Sequence, residues 1–137
     1  MLQDMDSESI MPPLTVEDLE LRDASSVSIY PITNQQWAAL QEIAESRGGT
    51  RSDLLREAIE RLCDDRDAGR EVFYRAAVRL DATDKVGIKP RIVWLKSPLS
   101  ERFIERIEKD RAYKSEFVLE ALRRYLAAEK IEIDPPI

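Results

Sequence analysis

Gly48-Gly49-Thr50-Arg51-Ser52-Asp53-Leu54-Leu55-Arg56-Glu57-Ala58-Ile59-Glu60-Arg61-Leu62 reads as a helix end, a cap and the start of a second, amphipathic helix. Glycine supplies the left-handed backbone that closes many helices, and Thr50 and Ser52 are residues able to cap the next one. Asp53 and Glu57 put negative charge in its first turns, where the helix dipole favours it. Leu54, Leu55, Ala58, Ile59 and Leu62 then fall on one stripe at helical period. A second copy lies downstream, Tyr113-Lys114-Ser115-Glu116-Phe117-Val118-Leu119-Glu120-Ala121-Leu122-Arg123-Arg124-Tyr125-Leu126. A shift of 63 residues (115 − 52) sets Ser52 on Ser115, Leu54 on Phe117, Leu55 on Val118, Ala58 on Ala121, Ile59 on Leu122 and Leu62 on Tyr125. The chain is an internal repeat.

Similar pieces precede each copy. Ser26–Ile32 is β-branched and aromatic, a short strand in which Pro31 allows only an edge or terminal ladder position. Thr33-Asn34-Gln35-Gln36 matches a capping box, and Trp37, Leu40, Ile43 and Ala44 share one helical face up to about Arg47. The next helix is expected from about Ser52 to Asp65. Arg91–Lys96 is a second strand, Ser97-Pro98 a cap with proline at the first helical position, and Leu99, Phe103, Ile104 and Ile107 a further apolar stripe. The last helix is expected to end near Ala128. Here the shift is 64 (94 − 30, Tyr30 on Trp94), so a one-residue deletion is expected between the helices, with Gly48-Gly49 facing a single residue near Ala112. The resulting organisation is an acidic tail at 1–25, a first unit at 26–68, a connection at 69–89, a second unit at 90–128 and a short tail at 129–137. In the connection, Glu71–Leu80 is apolar enough to pack as either helix or extended chain, and Asp81–Lys89 has turn composition. Leu14–Leu21 has room for a turn or two of helix on a partner. Trp37, Trp94 and Phe103 read as core anchors and Cys63 as a small buried hydrophobe.

The chain has 137 residues, 43% of them apolar and 35% charged, the balance of a globular, helix-rich protein. Each unit, at roughly 40 residues, is near the size below which a lone chain buries too little core, so the two should pack on each other. One cysteine and no histidine leave no disulfide framework, no metal quartet and no imidazole base. No apolar run approaches the ~20 residues of a membrane span, and no signal-peptide pattern opens the chain; a cytoplasmic location is the default expectation. The formal charge of −6 is unevenly spread. Residues 1–25 hold seven acids and one base, whereas 89–130 hold eleven bases and seven acids. The sequence pI of 4.8 therefore does not exclude a nucleic-acid partner for the basic second unit. The acid runs Asp4–Glu8 and Asp64-Asp65 read as solvated, and no cofactor or metal is expected.

A short strand, a helix of about four turns, a Gly/Ser/Thr loop and a second helix resembles the ribbon-helix-helix fold, the Arc/MetJ/CopG class of DNA-binding proteins. The resemblance is carried by Thr33, Trp37, Leu40, Ile43 and Ala44, then Gly48 and Thr50-Arg51-Ser52 opening the Leu54-to-Leu62 stripe, and by the matching last helix. It covers roughly residues 26–66 and 90–128. It implies a mainly α protein with a short two-stranded antiparallel β-ribbon, Ser26–Ile32 against Arg91–Lys96. That is a tandem ribbon-helix-helix, an intramolecular pseudo-dimer, whose ribbon enters the major groove of double-stranded DNA. The layout is similar to that of tandem members among conjugative-transfer accessory proteins.

The resemblance sets the base-reading positions two, four and six residues before each helix cap: Pro31, Ile29 and Val27, and Leu95, Val93 and Arg91. Arg91 alone of these donates a hydrogen bond, while Val27, Ile29 and Val93 offer only thymine-methyl contacts. A bulge or one-residue slip would instead turn out Ser28, Tyr30, Ile32, Ile92, Trp94 and Lys96, and both registers stay open. The family's phosphate clamp falls on Thr50, Arg51 and Ser52, and on Lys114 and Ser115, at helix N-termini whose N–H groups suit an anion. Ordinary capping asks for the same serine and threonine. Tyr113 stands where the family has a small residue.

The leading expectation is a non-enzymatic DNA-binding protein, a transcriptional regulator such as a repressor or a DNA-processing accessory factor. The rival is a protein-interaction module or antitoxin on the same fold, binding a partner protein through the ribbon face or the acidic N-terminal tail. A homodimer of tandem chains would set two ribbons on successive half-sites. No enzyme activity is expected, since nothing resembles a nucleotide loop, a nucleophile–base pair or a metal set.

Overall fold

The computed structural model describes residues 25–75 and 91–137. The expectations for Leu14–Leu21, the acid run Asp4–Glu8, the acidic tail and Asp81–Lys89 lie outside the described residues, apart from Ser25. In chain order the elements are β1 (Ser25–Ile29), α1 (Asn34–Ser46), α2 (Arg51–Asp67), β2 (Arg91–Leu95), α3 (Leu99–Asp110) and α4 (Lys114–Ala128). The described chain is mainly helical, with one two-stranded antiparallel sheet. Its pairing runs from Ser25 opposite Leu95 through Val27 opposite Val93 to Ile29 opposite Arg91. Both strands end sooner than expected. In the first, Pro31 has no N–H with which to extend the ladder.

The inner face of the ribbon and one stripe from each helix make a single core. Val27, Ile29, Val93 and Leu95 come from the strands, Leu40 from α1, Leu55, Ile59 and Leu62 from α2, Phe103 from α3, and Phe117, Val118 and Leu122 from α4. The long helices α2 and α4 pack on each other, and each also packs on the strand of the opposite half, α4 on β1 and α2 on β2. Neither half therefore completes its core alone, which is how two units this small bury enough apolar surface. Phe103 meets Phe117 edge-on at 5.3 Å between ring centroids, and Tyr74 stacks on the same ring at 5.6 Å.

The caps follow the sequence closely in the first half. Thr33 and Gln36 close the box on α1, and Thr50 and Asp53 close another on α2. In the second half they do not. Ser97 forms no cap bond, since α3 begins at Leu99 behind Pro98, and Tyr113 opens α4 without a side-chain bond.

The expected deletion between the helices is also displaced. Gly48 (φ 77°) and Arg111 (φ 52°) are both left-handed. The same backbone bond closes each turn, Gly49 N to Ala44 O at 3.0 Å and Ala112 N to Ile107 O at 3.1 Å. Gly48 thus matches Arg111 and Gly49 matches Ala112, a shift of 63 (111 − 48), with nothing deleted. The strands, with identical burial patterns from Ser25 and from Arg91, match at 66 (91 − 25). The length difference therefore lies between strand and first helix.

Two segments outside the repeated elements are also packed, the first as its apolar composition leads one to expect. Residues 71–75 of the connection form neither helix nor strand, and Val72 and Tyr74 lie against the core. The C-terminal residues fold back, with Ile131, Ile133 and Ile137 on the core and Gln36 Nε2 donating to the carbonyls of Pro135 and Pro136 at 3.2 and 3.0 Å.

Candidate nucleic-acid interface

The alternation of a strand puts Val27, Ile29 and Val93 on one side of the ribbon and Ser26, Ser28, Ile92 and Trp94 on the other. Val27, Ile29 and Val93 are 1%, 0% and 0% exposed, so none of them can reach a base edge, and the family register proposed from the sequence is corrected. Their aliphatic side chains are the floor of the core. Arg91 lies on the same inner side but at the ribbon's end, and its side chain turns back to Asn34 and Trp37. The outward face carries Ser26 opposite Trp94 and Ser28 opposite Ile92. Ile92 is 55% and Trp94 50% exposed, so Trp94 is a surface group and not the core anchor its size suggested. Phe103 is the anchor expected, and Trp37 is half-buried.

The N-termini of α2 and α4 flank this ribbon. Ser115 Oγ, in the first turn of α4, donates to the Ser28 carbonyl of β1 at 2.9 Å. Arg56 Nε, in α2, donates to the Trp94 carbonyl of β2 at 3.0 Å. Each long helix thus holds the strand of the opposite half through an outward-facing residue's carbonyl. At α2 the capping box engages the N–H groups of Thr50 and Asp53 and leaves those of Arg51 and Ser52 outside it. Thr50, through its backbone N–H and hydroxyl, holds the Asp53 carboxyl below the usual carboxylate range. Lys114 is exposed at the matching end of α4. The five phosphate-contact candidates therefore form two groups, Thr50–Ser52 and Lys114–Ser115, at the two sides of one ribbon.

Trp37 joins the first group to the ribbon. The Arg51 guanidinium carbon lies 4.0 Å from the centroid of the indole and that of Arg91 5.3 Å. Both guanidiniums hydrogen-bond to neutral oxygens, Arg51 to the Trp37 carbonyl at 2.9 Å and Arg91 to the Asn34 amide at 2.6 Å. Burial, and then the charge of Arg91, lowers the Arg51 pKa from its ordinary value. Two like charges on one platform are a place where an anion relieves repulsion. Trp37 packs against the core as its size suggests, but it also carries this cation cluster, which apolar periodicity does not reveal. Only the short spacing from Thr33 to Trp37 and the adjacency of Arg51 to the Thr50 cap hinted at it.

Asp64 is exposed, as expected, and pairs with Arg102 at 2.7 Å, while Asp65 is half-buried and pairs with Arg70 at 2.6 Å. Cys63 is buried, which pushes its thiol up to about 11 and leaves it a packed hydrophobe. Among the described residues no cluster of His, Cys, Asp and Glu could hold a metal ion, and no helix is long and apolar enough to cross a membrane. Comparison with protein-family models, with curated proteins and with solved structures finds no match for this chain.

Proposed function

We propose that this chain is a non-enzymatic DNA-binding protein of ribbon-helix-helix type, a tandem pseudo-dimer that sets its ribbon in the major groove and acts in transcriptional regulation or DNA processing. The observation that supports it is the joint geometry of the ribbon and its flanks. One face of the ribbon is turned away from the core, and the N-termini of α2 and α4 lie beside it with Arg51 and Lys114. A two-stranded ribbon fits the major groove, and helix N-termini suit the phosphates on either side. The corrected reading face is Ser26, Ser28, Ile92 and Trp94, and Arg91 joins Arg51 as a flanking cation.

The test is salt-dependent binding. Fluorescence anisotropy with a labelled duplex should give an affinity that falls with salt at a log–log slope of about −0.9 per phosphate neutralised. Arg51→Ala and Lys114→Ala should each flatten that slope by about one unit and weaken all sequences alike. No binding at ~50 mM salt would overturn the reading.

The second reading, a protein-interaction module or antitoxin on the same fold, is favoured by one observation, the exposure of Ile92 and Trp94 side by side on the same strand face. A partner protein held there would give binding that depends on Trp94 and changes little with salt.

A further inference from the structure

The outward face of the ribbon is chemically divided by strand. β1 contributes only hydroxyls, Ser26 and Ser28, and β2 only large apolar groups, Trp94 and Ile92, each directly opposite one serine. We infer that the β2 side of this ribbon reads thymine 5-methyl groups, so that the preferred duplex is non-palindromic, with thymines under β2. This rests on the DNA-binding reading above and narrows it to a class of sequence.

Three observations carry it. Ile92 and Trp94 are about half exposed on a face with no described element packed over it, so burying them against a ligand is favourable. In the major groove the C5 methyl of thymine is the apolar group a side chain can meet, and cytosine has none there. The surroundings of the face select a polyanion as occupant: Arg51 and Arg91 converge on Trp37 with neutral oxygens as their hydrogen-bond partners, while Arg56, bonded to the Trp94 carbonyl, already pairs with Asp53 at 3.1 Å. An apolar protein surface would strip water from those guanidiniums, whereas phosphates would pair with them. Serine hydroxyls accept or donate to any base edge and discriminate weakly, which leaves the methyl contacts as the main source of preference. A ribbon built from two identical strands would read both half-sites alike; this one has different chemistry on each strand.

The test compares duplexes that differ only at C5. The full chain is titrated against poly(dA-dT) and poly(dA-dU) of equal length, and against poly(dG-dC) with and without the 5-methyl group on cytosine. Removing the thymine methyl should weaken binding about fourfold per methyl contacted, and methylating cytosine should tighten it by a similar factor. Ile92→Ser and Trp94→Ser, both at exposed positions, should bring the thymine-to-deoxyuridine ratio towards one without changing the salt slope. Ser28→Ala should leave the ratio as it is. Tight but equal binding of both duplexes by the natural chain would overturn the inference and leave the DNA-binding reading standing. So would a ratio that survives in both serine variants, because the methyls would then be read elsewhere. Binding to neither duplex would overturn both.

Discussion

Leu55 and Val118 occupy matching places on α2 and α4, where the two halves meet, and both are buried. Truncating such a side chain removes its transfer free energy and leaves a cavity that a shared core cannot easily close. Leu55→Ala should therefore cost about 2–5 kcal/mol, whereas Glu60→Ala, on the exposed face of the same helix, should stay within about 0.5 kcal/mol. Urea denaturation of the two variants checks this, and equal losses would mean that the helical face had been misassigned. These positions were legible because a helical stripe repeated at a fixed shift leaves little freedom in which side faces inward. Trp94 was not. Arg-Ile-Val-Trp-Leu places apolar side chains on both faces of β2, so period-two patterning is silent there. Ser26-Val27-Ser28-Ile29 does alternate cleanly, and that signal, carried across the ribbon by pairing, settles the inward face that counting back from the helix caps assigned wrongly.

At the scale of elements, the helix ends and the contacts between helices explain what could and could not be read. Gly48 announced the end of α1, because glycine is the residue that enters the left-handed region at no cost. Arg111 adopts the same conformation at the end of α3 with nothing in its identity to signal it. An L-residue there carries a strain of about 1–2 kcal/mol, partly offset by the entropy that glycine loses on folding. Arg111→Gly should accordingly raise stability by about 0.5–1 kcal/mol, visible as a higher melting temperature; a drop would mean that the arginine side chain contributes more than the backbone costs.

The ion pairs between α2 and α3 were likewise beyond the sequence, since their partners are distant in the chain. Asp110 accepts from Arg66 at 2.9 Å, from Tyr74 at 2.6 Å and, more loosely, from Arg106 at 3.4 Å, while Asp67 accepts from Arg106 at 2.7 Å and Arg102 at 2.9 Å. Burial would raise the Asp110 pKa, but the Arg66 and Tyr74 bonds outweigh it, and both carboxyls lie below their ordinary range, Asp67 chiefly through Arg106. A carboxyl depressed on folding stabilises above its unfolded pKa of about 3.9 and loses that contribution as pH falls through the folded value. The melting temperature should therefore hold from neutral pH to about 5 and fall below about 4. Asp110→Asn should cost about 3 kcal/mol at neutral pH, for a largely buried pair broken on one side, and should make the acid limb shallower. A limb of unchanged steepness would assign acid sensitivity to other groups.

For the molecule as a whole, the decisive arrangement is that both strands of the ribbon and both long helices belong to one chain. β1 pairs with β2, α4 covers β1, α2 covers β2, and the residues facing inward from all six elements form one cluster. On this arrangement folding should require no second copy. An obligate dimer is stabilised by mass action and melts at a lower temperature on dilution, whereas a chain that completes its own core does not. Circular-dichroism or fluorescence melts should give the same midpoint at micromolar and nanomolar concentrations. The six net negative charges of residues 1–25 bear on the same measurement made with DNA. If the chain binds DNA as proposed, removing residues 1–24 should tighten non-specific binding at low salt by relieving repulsion from the phosphates, an effect that screening should abolish near ~1 M salt. A midpoint that falls on dilution would show that the ribbon is completed between chains, and the intramolecular pairing of β1 with β2 would then not be the species in solution.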